Sequence, residues 1–288
     1  MVPLIFVPTP LGNLKDITLR ALETLRECEL IVAEDTRVAR RLLSALGVGP
    51  KTIWSYREQN AESVTAGILA RAGAEIVAVV TDAGMPGISD PGGELVAAAR
   101  AAGIAIEVLP GPCAFVCAAV LSGYDLTRFS FEGFVPRRQA ERERRLRAAY
   151  ESGTTSVWYD SPRRIRATLA ALERIDPAMA LFVGRELTKF YEQQIAGTPA
   201  GILATLADPP LGEFVLVLGR KAAGDDASAA AASPSELDAE IDRAILRGES
   251  APSIARALAN RGFGSRSELY ARIASRRAAE RRELRDRR

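Results

Sequence analysis

The sequence of 288 residues contains no histidine. That absence removes a Ser-His-Asp triad, a histidine-ligated metal and an imidazole general base in one step. Cysteine is nearly missing as well. Cys28, Cys113 and Cys117 stand in no metal-ligand spacing, which argues against a disulfide framework and for a reducing compartment. Neither the G-x-G-x-x-G dinucleotide fingerprint nor the G-x-x-x-x-G-K-[ST] phosphate loop occurs, so an ordinary nicotinamide enzyme and a P-loop NTPase are set aside. No apolar run reaches membrane-spanning length. The apolar start, Met1 to Val7, lacks a charged leader region and stops at Pro8, so it reads as a first strand and not as a signal peptide. A soluble, cytoplasmic protein with no membrane partner and no metal is expected. A net charge of +2 names no polyanion partner; the distribution of charge has to decide.

What is present is a regular alternation of short β-branched runs and helical stretches. Leu4 to Val7, Leu30 to Ala33, Thr52 to Trp54, Glu75 to Val80 and Ile104 to Leu109 read as strands. Ile17 to Glu27, Val38 to Leu46, Ala61 to Arg71 and Glu94 to Ala102 read as helices between them. This order predicts a parallel sheet with helices on both faces. After the small-residue helix Phe115 to Ser122 the pattern changes. Strands over 129–135, 155–159, 180–183, 191–196 and 214–218, with helices over 137–150, 165–174 and 199–206, predict a second α/β domain with a mixed sheet. Residues 223–234, rich in alanine and serine, read as a linker. Beyond them the chain reads as helical and strongly basic. The expected organisation is therefore 1–116, 117–222, the linker, and a basic helical domain over 235–288.

Four loops fall at strand ends of the first domain: Pro8 to Asp16, Glu34 to Arg37, Thr81 to Gly87, and Pro110 to Ala114. The third is part of Thr81-Asp82-Ala83-Gly84-Met85-Pro86-Gly87-Ile88-Ser89-Asp90-Pro91-Gly92-Gly93. Glycine allows positive φ and close approach of backbone to a ligand. Proline stiffens the loop. Open α/β sheets bind ligands at the carboxyl ends of their strands, so a small nucleoside-like molecule held by backbone groups is expected there. Asp90 and Pro91 read as an N-cap and first helical residue of the helix that follows.

Three of these segments, Pro8-Thr9-Pro10-Leu11-Gly12-Asn13, Asp82-Ala83-Gly84-Met85-Pro86-Gly87 and Pro110-Gly111-Pro112-Cys113-Ala114, resemble the cofactor loops of the tetrapyrrole methylase superfamily. Ala33-Glu34-Asp35-Thr36-Arg37, Tyr159-Asp160-Ser161-Pro162-Arg163-Arg164 and Gly184-Arg185-Glu186-Leu187-Thr188-Lys189 resemble its 16S rRNA (cytidine-2'-O)-methyltransferase branch. The resemblance covers roughly residues 3 to 220. The branch often has Glu where Asp160 stands and His where Arg163 stands. It implies two α/β domains with S-adenosylmethionine in the cleft between them, a small helical C-terminal domain, and a homodimer. Carried over by position, Pro10, Leu11, Gly12, Asp82, Gly84, Met85, Gly87, Pro112, Cys113, Ala114 and Tyr159 would bind the cofactor. Read by themselves, Cys113 and Met85 are equally packing residues.

A ribose 2'-hydroxyl is a weak nucleophile and favours proton removal during attack. Without histidine, the candidates are carboxylates or a lysine of depressed pKa. Lys189, Glu186 and Asp35 lead, with Glu34 a rival; a structural ion pair with Arg37 or Arg185 is the competing role for the acids. Arg37, Arg137, Arg138, Arg163 and Arg164 are candidate RNA contacts, against the alternative of a solvated charged helix in which Glu141 pairs with Arg145. The basic tail favours RNA, since its excess charge has no partner in sequence. The resemblance thus implies methylation of a cytidine ribose in the decoding region of 16S rRNA, within the 30S subunit. A methyltransferase of a corrin or porphyrin precursor and a non-catalytic ribosome-binding protein are the other readings.

Overall fold

The computed structural model describes residues 2–219, 234–247, 249–260 and 269–276. The chain forms two compact units, one through Gly219 and one from Arg220. The expected linker, 223–234, lies almost wholly outside the described residues, as do most of the tail arginines.

The first unit carries two five-stranded sheets. Strands β1 (Leu4–Phe6), β2 (Leu30–Ala33), β3 (Thr52–Ser55), β4 (Val77–Val80) and β5 (Ile106–Val108) pair in parallel in the order β3-β2-β4-β1-β5. Helices α1 (Leu19–Glu27), α2 (Thr36–Ala45), α3 (Ala61–Arg71) and α4 (Gly93–Ala101) connect them. Strands β1, β2 and β4 are buried on both faces, which is why they read as unbroken apolar runs and do not alternate. Leu25, Ile31, Ala78 and Leu43 fill one side; Leu4, Val32, Ile68 and Leu95 fill the other. The chain leaves β1 toward β2 but leaves β4 toward β5, so the strand order reverses between these two central neighbours. That reversal opens a crevice at their carboxyl ends.

The second sheet is mixed. Strands β6 (Phe129–Phe134), β7 (Thr155–Asp160), β8 (Leu181–Arg185), β9 (Gln193–Gly197) and β10 (Phe214–Leu218) run in the order β6-β7-β10-β8-β9. Only β6 and β7 are parallel; β10 lies antiparallel to both β7 and β8. Helices α6 (Gln139–Glu151), α7 (Ile165–Ile175) and α8 (Pro199–Thr205) cover one face around Trp158, Leu169 and Leu216. Helix α5 (Ala114–Ser122) covers the other, packing Ala118 and Ala119 against Val157, Phe182 and Val217. A division at 116/117 would therefore cut α5, whose packing belongs to the second sheet. The chain passes between the sheets just before it, at Pro110 to Cys113.

The second unit holds α9 (Pro234–Leu246), α10 (Ala251–Asn260) and a helical segment over 269–276. Ile241, Ile254, Leu258, Leu269 and Ile273 form its core. Arg272 donates to Asp238 at 2.7 Å and Arg276 bonds Asp242 and Asp238. Two tail arginines expected to be unpaired are thus neutralised by acids more than thirty residues away.

Candidate active site

The three backbone-rich loops meet in one place. Thr9 and Gly84 exchange two backbone hydrogen bonds, 2.9 and 3.0 Å, and the buried Thr9 hydroxyl donates to the Thr81 carbonyl at 3.2 Å. This cross-bridge ties the loop after β1 to the loop after β4. Gly84 sits at φ +84°, where a Cβ would lie 3.2 Å from Leu11 Cδ2 and 3.7 Å from the Pro112 carbonyl oxygen. Only glycine lets all three loops converge at that point without strain.

A cleft of about 290 Å³ opens beside this junction. Leu11, Met85, Ile88, Cys113, Ala114, Phe134, Tyr159 and Val215 line it, together with Glu34, Thr81, Asp82, Asp90, Asp160 and Glu213. Its walls come from the carboxyl ends of the first sheet and from one end of the second. Seven of the expected cofactor residues line it: Leu11, Asp82, Gly84, Met85, Cys113, Ala114 and Tyr159. The other four do not. Pro10 is buried behind the loop, Gly12 lies against Lys189, and Gly87 (φ +83°) faces an adjacent hollow with Tyr56 and Glu94. Pro112 contributes its carbonyl beside Gly84.

Burial pushes the Cys113 thiol above its usual value, so it stays a neutral packing group. Tyr159 accepts the backbone N–H of Phe115 at 3.3 Å and packs against Phe131 and Phe134. Burial raises its phenol too.

Acids crowd the floor of the cleft. The Thr81 hydroxyl stands between two carboxylates, 2.8 Å from Asp90 and 3.1 Å from Glu34. Burial, with Glu34 and Asp82 adding to it, pushes Asp90 up to about 6 against the Thr81 hydrogen bond. Asp90 is not the N-cap of α4; Gly92, at φ +149°, holds that position. The carboxylate turns inward to Thr81 instead. Asp82 accepts the Asp35 backbone N–H at 3.2 Å, and burial holds its carboxyl above the usual value.

Asp35 itself caps α2 through the Arg37 N–H at 2.8 Å and takes the Arg37 guanidinium at 2.6 and 3.1 Å. Arg37 holds that carboxyl well below the usual carboxylate range. Asp35 and Arg37 are therefore committed to each other, with Arg57 3.5 Å away.

Lys189 and Glu186 do not line the cleft; they join it only through Glu213, which does. The Lys189 Nζ donates to Glu186 and to Glu213, both at 2.9 Å, and Glu186 also accepts the Glu213 N–H at 2.9 Å. Burial works to lower the Lys189 pKa, but the two carboxylates outweigh it and raise it. Burial works to raise Glu186, and Lys189 with the Glu213 amide outweighs that and lowers it. The expectation of a lysine with depressed pKa is thus reversed: two acids hold it as an ammonium. A Cβ on Gly12 would collide with Lys189 Cγ, so the loop after β1 closes directly over the lysine stem. Glu186 (φ +51°) and Thr188 (φ +66°) hold left-handed backbone in this turn, a conformation that non-glycine residues seldom adopt.

The arginines divide. Arg137, Arg138 and Arg163 are exposed and form no ion pair among the described residues. Arg164 is spent inside the fold, on Asp160 at 3.1 Å, the Ser161 hydroxyl at 3.0 Å and the Val135 carbonyl at 3.1 Å. It is not a free phosphate contact. Arg145 pairs with Glu132, not with Glu141 as its i,i+4 spacing suggested. Thr81, which opens the glycine-rich loop, and Phe134 and Glu213 also line the cleft, though none was an expected site residue. The acidic residue directly before the apolar run 214–218 was the available signal for Glu213.

The profile of the tetrapyrrole (corrin/porphyrin) methylases matches residues 3–203. A protein of Synechocystis sp. named ribosomal RNA small subunit methyltransferase I is 38% identical over 270 residues, covering 93% of this chain and 95% of its own. The protein of that name from Thermotoga maritima is 40% identical over 221 residues, 76% of this chain and 98% of its own. The chain belongs to the ribosomal RNA small subunit methyltransferase I family of tetrapyrrole methylases. A solved uroporphyrin-III-C-methyltransferase from Thermus thermophilus superposes with a TM-score of 0.53 at 22% identity, covering 76% of this chain and 94% of that one. At that identity the likeness carries the methylase fold alone. The parallel sheet, the mixed sheet and the crevice at their ends are that fold.

Proposed function

We propose that the protein transfers a methyl group from S-adenosylmethionine to the ribose 2'-oxygen of a cytidine in the decoding region of 16S rRNA, on the 30S subunit. The supporting observation is the convergence, in a chain matching rRNA methyltransferases over nearly its whole length, of three backbone-rich loops at one cleft whose lining residue Glu213 pairs with Lys189, itself paired with Glu186. The cleft's chemistry suits this cofactor. Leu11, Met85, Ile88 and Val215 offer apolar surface for a base and a thioether chain, and Asp82 offers a carboxylate for ribose hydroxyls or the ammonium. When bound, the cofactor supplies an electrophilic methyl group on a sulfonium sulfur.

The chain's own task is alignment, from which much of the rate of an in-line displacement comes. Gly84 lets the loops after β1, β4 and β5 close to one fixed geometry. Lys189, kept charged, positions the acceptor ribose at the cleft mouth. The proton of the attacking hydroxyl passes to a carboxylate of its pair, Glu186 or Glu213, and not to the lysine. Asp35 has a positioning role, fixing Arg37 beside Asp82. Arg137, Arg138 and Arg163 contact RNA phosphates; Arg37, held by Asp35, presents only its solvent side to them. Helix α5 is apolar on every face and leaves Val116 and Val120 exposed one turn apart; a second copy of the chain covers them in a homodimer.

Radiolabelled S-adenosylmethionine tests this reading, with 30S subunits lacking the modification, naked 16S rRNA and tetrapyrrole precursors offered as acceptors. Label on a ribose oxygen of 30S RNA is expected. Label in a tetrapyrrole, or no binding of S-adenosylmethionine, overturns it.

A further inference from the structure

Directly after Lys189 the chain displays two aromatic rings to solvent. Phe190 is 94% exposed and Tyr191 72% exposed. The rings meet edge to face, with centroids 5.0 Å apart and planes at 89°, which leaves a ring face open. Burial is the normal fate of such side chains, and among the described residues nothing folds over them. The turn that carries them is nevertheless firmly built. Lys189 N donates to the Glu186 carbonyl at 3.0 Å, Glu192 N to the Lys189 carbonyl at 3.1 Å, and Thr188 N to the Glu192 carboxylate at 2.7 Å. A rigid turn presents the pair at a fixed height above the sheet end.

The sheet register locates the pair. Asp160, Phe214, Arg185 and Gln193 lie side by side across β7, β10, β8 and β9. Phe190 and Tyr191 bridge Arg185 and Gln193, so they stand at the same end of the sheet as the cleft residues Asp160, Glu213 and Phe214. Arg163 leaves the end of β7, and Arg137 and Arg138 follow the end of β6 beside it. With strands about 4.8 Å apart, the unpaired arginines and the aromatic pair flank the cleft mouth from opposite sides, within reach of a few nucleotides. Lys189 neutralises the acids between them. Cations that track a backbone, set opposite aromatic faces, are the combination that holds single-stranded nucleic acid.

We propose that Phe190 and Tyr191 form a stacking platform for an unpaired nucleobase next to the reacting nucleotide. The inference rests on the RNA reading above and adds a binding subsite to it. Stacking holds the strand where its neighbouring ribose meets Lys189, and it tolerates any base, because every base has a π face.

The test uses the full-length protein and a short single-stranded RNA carrying 2-aminopurine beside a central cytidine. Wild-type protein is expected to quench the probe on binding. F190A/Y191A is expected to lose the quenching and to bind roughly ten- to a hundredfold more weakly. The slope of log affinity against log salt stays unchanged, because no phosphate contact is lost. F190W/Y191F is expected to keep both signals. Wild-type quenching and affinity in F190A/Y191A overturn the platform while the methyltransferase reading stands. A change of sedimentation in F190A/Y191A with RNA binding intact also overturns it, by assigning the rings to contact with a second copy. If wild-type protein neither binds the RNA nor labels 30S subunits, the function reading itself falls and takes the platform with it.

Discussion

The two sheets contribute to the cleft in opposite ways. The first sheet works through backbone. Its loops after β1, β4 and β5 are glycine- and proline-rich, and their junction is a pair of main-chain hydrogen bonds between Thr9 and Gly84. The second sheet works through side chains: Tyr159, the Lys189–Glu186–Glu213 cluster, exposed arginines and the Phe190–Tyr191 pair. Backbone geometry suits a ligand that does not change, whereas side chains are the part that can be altered to fit a particular acceptor. We propose that the first sheet supplies most of the cofactor contacts, with Tyr159 and Val215 added from the second, and that the second recognises the acceptor.

Substitutions test this division. The largest effect is expected at Lys189. Lys189→Ala should lower kcat roughly a hundredfold or more while S-adenosylmethionine affinity stays within a few-fold, measured by single-turnover kinetics and calorimetry. Because Gly12 closes on the lysine stem, an equal loss of cofactor affinity would show that the two sheets are not separable. Asp160→Ala comes next. It removes the acceptor of Arg164, Thr168 and the Ser161 N–H and should cost about 3 kcal/mol in urea unfolding. Gly84→Val should weaken cofactor binding by roughly a hundredfold, from strain at φ +84°, with little change in RNA affinity.

Asp90 provides a pH test. Its folded pKa, about 6, lies above the ordinary value of 3.8. The folded protein therefore holds this proton more tightly than the unfolded chain. The contribution of Asp90 to stability should fall as pH rises from about 4 to about 6 and be constant on either side. After allowance for solvent screening the span is roughly 1–2 kcal/mol. Asp90→Asn should flatten that window in thermal melts, and an unchanged pH slope would place the charge elsewhere. The smallest effect is expected for Arg163→Ala: a few-fold loss of RNA affinity and a salt slope shallower by about one, with cofactor affinity untouched.

The loops of the first sheet were legible because glycine and proline announce conformation locally. Gly84 and its neighbours needed no distant partner to be recognised, and the strand Leu30–Ala33 and helix Ala61–Arg71 lie where their apolar patterns placed them. Residues whose roles depend on partners were not legible. Asp90 followed by Pro91 has the local form of a helix cap, but Thr81, nine residues back, claims its carboxylate. Arg164 reads as a free cation beside Arg163 until Asp160 and Val135 enclose it. A boundary at 116/117 falls inside α5, which follows a first-domain loop in sequence while it packs on β7, β8 and β10.

The alternation of elements, the parallel first sheet and the segments able to approach a ligand closely were legible in the sequence, because they follow from local conformational preference and periodicity; the family followed from the resemblance of the loop motifs. The two carboxylates around Lys189, the inward turn of Asp90, the burial of Arg164 and the display of Phe190 and Tyr191 came from the tertiary fold alone. Charge state and exposure depend on which groups lie within a few ångströms in space, and β10, arriving from far along the chain between β7 and β8, brings Glu213 to the lysine and sets the hairpin carrying the two rings beside the cleft.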